Sequence, residues 1–251
     1  MLRLLSALLL AAACAGAVAA PLRVGGFVVT PLIVGEPGKP LRGALRDFLE
    51  RDVVPAGVPL QWMPPTTVPD SLESLQDGSL DVLLIATGEA GRLPGTAAFD
   101  WTYLHTRPHL AVRSDSPLQA VQSLDQLAGL DIGWLAGPTL SPGLMKSGAR
   151  WHLVKVPDWQ AENLRRLQAG TIDAAYFENE YSPRYLALSA SIPVRLIRLP
   201  MPPRAVFMIY SLKADKAAVA RFDRVAKAAF AGRRFRDFLE RYAAGGPGRP
   251  R

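Results

Sequence analysis

The chain has 251 residues, a formal net charge of +7 and one cysteine, Cys14. That length is enough for one large domain or two small ones, and a lone cysteine excludes an internal disulfide, so stability must come from core burial. The basic balance raises nucleic acid as a partner, but Lys and Arg are scattered among acids, without the clustering and interleaved aromatics such binding needs.

Residues 1–20 open with Arg3, continue with an apolar run from Leu4 to Ala13, and end in Ala17, Val18, Ala19 and Ala20. This charged, apolar, small-residue order predicts a secretory signal peptide, too short for a permanent span, with cleavage after Ala19 or Ala20. A lipoprotein acylated at Cys14 is the competing reading, although Ala11 stands where a lipobox has Leu. The predicted location is the periplasm, and removal of the leader leaves the mature chain without a thiol.

The next elements repeat. Leu72, Leu75, Gln76, Gly78, Leu80 and Asp81 recur with the same spacing as Leu164, Leu167, Gln168, Gly170, Ile172 and Asp173. Each copy reads as an amphipathic helix stopped by Gly, with a short apolar strand after the Asp. Asp70 with Glu73 is the expected cap of the first helix and Asp158 of the second. A weaker echo pairs Leu22, Val24 and Gly25 with Leu130, Ile132 and Gly133. Together they predict two copies of a strand–helix–strand lobe, starting near residues 21 and 130.

Between the copies, His109 to Arg113 reads as a strand, and Ser123 with Gln126 as a capping box on a short helix. Val194 to Leu199 and Ala205 to Tyr210 read as return strands around a proline cluster. Val219, Phe222, Val225, Ala226, Ala229 and Phe230 form a helical stripe within 215–242 that should dock on the first lobe. The basic group Arg233, Arg234 and Arg236 has Asp237 and Glu240 beside it, a solvated helix face, and residues 245–251 read as a disordered tail. Lobe one is predicted as 21–112 plus 201–251 and lobe two as 113–200. Two crossings make a hinge, and two open α/β sheets facing each other make a cleft.

In this order the chain resembles the family 3, polar amino-acid, extracellular solute-binding proteins of ABC importers. The matching stretches are 22–25, 43–49, 76–85, 99–103, 110–117, 123–129, 132–137 and 170–174, nearly the whole mature chain. The resemblance implies a type II periplasmic-binding-protein fold, an α/β protein whose two lobes each carry a central sheet flanked by helices. It implies no catalysis and no cofactor, a monomer, a small polar ligand, and an ABC transporter membrane permease as partner. Carried over, Thr87 and Arg92 fall at the positions that take a carboxylate, and Thr139 at a lobe-two helix start that assists. Glu178 falls at the position of the acid that takes an ammonium, with a salt bridge to a nearby Arg as the rival role. Phe27 is the nearest aromatic to the position that covers the ligand side chain. Ile85 and Glu89 replace family hydroxyls, and Pro138 lacks the N–H other members offer, so an ordinary α-amino acid fits less well.

Two other functions remain open at this stage. A dehydratase on the same scaffold would need an acid–base pair, for which Glu89 and Glu178 are the candidates. A sensor that docks on a membrane signalling partner would share the binding step. His105 and His109 straddle Pro108 ahead of an extended segment, poor geometry for zinc, and His152 reads as structural.

Overall fold

The computed structural model describes residues 20–36, 38–88, 93–136 and 140–245. The leader with Cys14, Glu89 and Arg92, Gly137 to Thr139, and the tail beyond Gly245 lie outside the described residues. Among the described residues no helix is long and apolar enough to cross a membrane.

The first lobe is built on strands β1 (Leu22–Gly25), β2 (Leu60–Trp62), β3 (Val82–Thr87), β4 (Thr96–Ala98), β5 (Leu104–Thr106) and β11 (Arg204–Ser211), in the order β2-β1-β3-β11-β4 with β5 also on β11. The second uses β6 (His109–Arg113), β7 (Asp131–Leu135), β8 (Arg150–Val154), β9 (Ala174–Phe177) and β10 (Val194–Arg198), in the order β10-β6-β9-β7-β8. Read from the other edge, the two orders coincide. In each sheet three parallel strands are followed by one antiparallel strand that arrives from the other half of the chain. The repeat therefore extends from local motif to sheet topology. β6, expected at the end of lobe one, pairs with β9 and β10 instead. The outward crossing thus falls before His109, and the return runs through 199–203.

Helix α1 (Ala44–Asp52) buries Ala44, Leu45, Phe48 and Leu49 under the first sheet, one apolar stripe of a 3.6-residue period. In α2 (Val68–Asp77) the cap is Thr67, whose hydroxyl accepts from the Asp70 N–H at 3.3 Å. The expected cap at Asp70 thus lies inside the first turn, because Pro69 is itself suited to a helix start. Gly78 ends that helix at φ 84°, a left-handed position that favours glycine. The short helix α3 (Pro142–Met145) and α4 (Trp159–Gln168) belong to the second lobe, with α5 (Tyr181–Ala190) following β9. Ser123 and Gln126 do form the reciprocal capping box, on a 3-10 turn.

The C-terminal stripe divides into two helices, α6 (Lys216–Phe230) and α7 (Arg234–Gly245). Gly232, at φ 71°, breaks the run, and the chain folds back so that Phe235 and Phe238 pack 5.0 and 5.5 Å from the Phe48 ring. Both helices close the core of lobe one around Phe48, Phe222 and Met208. β3 is apolar through Val82, Leu83, Leu84, Ile85 and Ala86 because its strand is covered on both faces.

Candidate functional site

Both sheets present the carboxyl ends of their parallel strands to one interlobe cleft of about 770 Å³. Phe27 stands just beyond β1, and Thr87 ends β3. From the other lobe come Trp134 and Leu135 at the end of β7, and Glu178 immediately after β9. This is where open α/β sheets bind ligands, because the chain turns from strand to helix there and leaves a crevice.

Of the five candidates read from the sequence, Phe27, Thr87 and Glu178 come together on this cleft. Arg92 and Thr139 lie outside the described residues. The Thr87 hydroxyl makes no hydrogen bond among the described residues. Glu178 is held between the end of β9 and a capped helix. Asn179, 5% exposed, accepts from the Tyr181 and Ser182 N–H groups at 2.9 and 2.8 Å and so pins the start of α5.

Glu178 also has the salt bridge that was its rival role. Arg204, the first residue of β11, donates through Nη1 to Glu178 Oε1. Antiparallel pairing with register Val206 opposite Thr87 brings the amino end of β11 to the carboxyl end of β3. The pair therefore joins lobe one to lobe two across the cleft. Burial raises the Glu178 carboxyl above its ordinary value, and the Arg204 charge offsets part of that rise. Neither end is sealed: the side chains keep 25% and 29% of their exposure. The remaining guanidinium N–H groups of Arg204 and the second oxygen of Glu178 have no partner among the described residues.

A second interlobe bond lies deeper. The Thr30 N–H donates to Gln160 Oε1 at 2.8 Å, with Gln160 1% exposed in the first turn of α4. Most of the remaining wall is apolar. Phe27, Leu72, Leu83 and Ile85 face it from lobe one, with Trp134 and Trp159 from lobe two. The two indoles meet edge to face at 5.0 Å, and their Nε1–H groups are buried without a partner among the described residues. Phe27, Val68, Leu135 and Trp159 also wall a smaller chamber of about 260 Å³ that carries Lys155.

Arg204, Gln160 and Trp159 were not read from the sequence as site residues. The only signal for Arg204 was its place at the start of the return strand after Pro200, Pro202 and Pro203. His105 and His109 sit on separate strands, and the His109 Nδ1 contacts the Arg107 carbonyl at 2.8 Å. His152 pairs with Asp131 at 2.6 Å on the lobe-two surface, away from the cleft.

No protein-family model and no curated protein matches the chain. Solved structures do match. The GluR0 ligand-binding core in complex with L-glutamate superposes with a TM-score of 0.72 at 14% identity, covering 89% of this chain and 98% of that one. The periplasmic VFT2 domain of Bordetella pertussis BvgS gives 0.70 at 16% identity, covering 88% and 92%. The substrate-binding protein of an amino acid ABC transporter gives 0.68 at 18% identity, covering 88% and 98%. These likenesses agree with the family resemblance read from the sequence. The chain has the two-lobed type II periplasmic-binding-protein fold.

Proposed function

We propose that the chain is an exported, monomeric solute-binding protein of the periplasm. It captures an amino acid or a related compound between its lobes and delivers it to the membrane permease of an ABC importer. The observation that carries this reading is the shared cleft, with Phe27 and Thr87 on one wall and Glu178 on the other. A ligand touching both walls favours closure, because it interacts more strongly with the closed state than with the open one. In this reading Thr87 and Arg92 take an anionic group, Thr139 assists, Glu178 takes a cation, and Phe27 covers the apolar part. The residue 1–20 leader supports export, and the amino-acid-binding structures it resembles support the ligand class.

The test is a thermal-shift screen against amino acids, amines and small organic acids. A ligand at one hundred times its Kd stabilises by about 2.7 kcal/mol, a rise of roughly 5 to 10 °C in a chain of this size. No rise with any class would overturn the binding reading. The BvgS likeness favours a second reading, a sensor that hands a ligand-induced closure to a membrane partner. Uptake of the identified ligand separates the two: loss of uptake on deleting the gene supports import, and unchanged uptake supports sensing.

A further inference from the structure

The cleft combines a small charged spot with a wide apolar wall, and the two features constrain the ligand differently. The charged spot is the Glu178–Arg204 pair, one residue from each lobe, each with hydrogen-bonding capacity left over among the described residues. A ligand with a single charge would meet a neutral pair and gain from one partner while being repelled by the other. A ligand with both charges matches both. The guanidinium fork takes a carboxylate on two N–H groups, and the free Glu178 oxygen takes an ammonium. The apolar wall is built from Phe27, Leu72, Leu83, Ile85, Trp134 and Trp159. A short polar ligand would leave that wall in contact with trapped water and would lose most of the burial that drives binding.

Resting on the binding reading above, we infer that the ligand is an amphipathic zwitterion. It carries one carboxylate and one ammonium on a bulky apolar body, of the kind found in an aromatic amino acid or an apolar dipeptide. Its carboxylate docks on Arg204, its ammonium on Glu178, and its apolar body lies against the Phe27, Trp134 and Trp159 rings. The volume of about 770 Å³ exceeds what a short polar amino acid fills and leaves room for a body of two side chains. The smaller chamber shares the Phe27, Val68, Leu135 and Trp159 walls with this cleft and adds further mostly apolar space beside it. Arg204 thereby becomes a ligand residue that distinguishes this cleft from one served by Thr87 and Arg92 alone.

Calorimetric titration of the purified full chain decides the matter with ligands chosen in series. L-phenylalanine and a leucine–phenylalanine dipeptide are the zwitterions with apolar bodies. 3-Phenylpropionate lacks the ammonium, phenethylamine lacks the carboxylate, and glutamine, glutamate and arginine have polar bodies. At least one apolar zwitterion is expected to bind about tenfold or more tightly than both of its single-charge analogues and all three polar amino acids. Tighter binding of a polar amino acid would overturn the apolar body while leaving the binding reading intact. Equal binding of a single-charge analogue would overturn the two-charge head. Failure of every compound, in calorimetry and in the broad thermal-shift screen, would sink the binding reading and this inference together. Arg204→Gln, checked for an unchanged far-ultraviolet spectrum, is expected to weaken the zwitterion about tenfold and to tighten phenethylamine, which no longer meets the repulsion of that guanidinium or its competition for Glu178. Equal weakening of both ligands would overturn the role of Arg204. If that variant does not fold, the analogue series stands by itself.

Discussion

The two lobes solve the same structural problem with different residues, at the corner where helix returns to strand. In lobe one the Asp81 carboxylate accepts the Arg23 N–H at 2.7 Å, and the Asp81 N–H returns to the Arg23 carbonyl at 2.9 Å. In lobe two Asp173 and Asp131 make the same two bonds, each at 2.8 Å. The backbone clasp is duplicated, but the side chain opposite the aspartate has the reverse charge. Arg23 closes its own ion pair with Asp81 at 2.7 Å. Asp131 faces a like charge and is instead neutralised from β8 by Arg150 at 2.5 Å, with the His152 ring in hydrogen-bond contact at 2.6 Å. Register explains the donor, since Arg150 lies opposite Asp131 just as Gln61 lies opposite Arg23. The corner therefore conserves an aspartate clasp and a local charge balance, while leaving open which strand supplies the cation.

Exchanging one residue without its partner should break that balance. Arg23→Asp sets a second carboxylate beside Asp81, whose side chain is only 8% exposed, with the uncharged Gln61 opposite. Loss of the pair and like-charge repulsion should cost about 2 kcal/mol, a figure held down because the Arg23 side chain is 37% exposed. Adding Gln61→Arg copies the lobe-two solution and should recover about 1 kcal/mol, read as the coupling energy of a double-mutant cycle in urea. Additive losses would mean that the two corners are alike in backbone only.

A second comparison concerns the glycines on the first strand of each lobe. A Cβ on Gly25 would meet Leu80 Cδ1 at 2.9 Å and Met63 Cβ at 3.2 Å. On Gly133 it would fall on Asn163 Oδ1 and lie 2.8 Å from Ile172 Cδ1. Leu80 and Ile172 are equivalent in the repeat, as are Ser71 and Asn163. Ser71 is small and bonds Thr66 at 2.7 Å, whereas both amide atoms of Asn163 are buried without a partner among the described residues. Gly133→Ala must displace a boxed-in amide and should cost about 2 kcal/mol, against about 1 kcal/mol for Gly25→Ala. Chemical unfolding measures both, and a larger loss at Gly25 would reverse the ranking.

The same corner shows why much of the fold was legible in the sequence and part of the site was not. Gly78 and Gly170 hold left-handed helix ends at φ 84° and 71°, and Asp81 and Asp173 clasp a backbone N–H. Such positions admit few residue types, so the repeat survives as letters. Glu178 came from the family resemblance, which expects an acid there, and the structure sets it on the cleft immediately after β9. Arg204 was not legible, because which arginine reaches the cleft depends on the register of β11 against β3, more than a hundred residues away. Gln160 and the two indoles became site residues only through the approach of one lobe to the other. The stripe through Val219 and Phe230 hid the break at Gly232, since an apolar period continues unaltered across a helix pair that packs on one core.

The smallest expected effect separates the two lobes by pH. Hydrogen bonds from Arg150 and His152 hold the Asp131 carboxyl well below its ordinary value. A group depressed in the folded state adds stability above its unfolded pKa, and that stability is lost as pH falls through the folded one. Glu178 has the opposite sign: its raised value adds stability at low pH that is lost as pH rises from the usual carboxylate range through the folded value. Melting temperature followed downward from pH 5 should therefore fall less steeply in Asp131→Asn than in the unaltered chain. Followed upward from pH 4, it should fall less, or rise more, in Glu178→Gln. The Asp131 difference should shrink in high salt because its partners Arg150 and His152 are solvent-exposed, while the Glu178 difference, whose partner Arg204 is more enclosed, should shrink less. Parallel slopes in both variants would mean that neither carboxylate is held differently in the folded and unfolded chain, and the charge contrast between surface corner and cleft would fall with them.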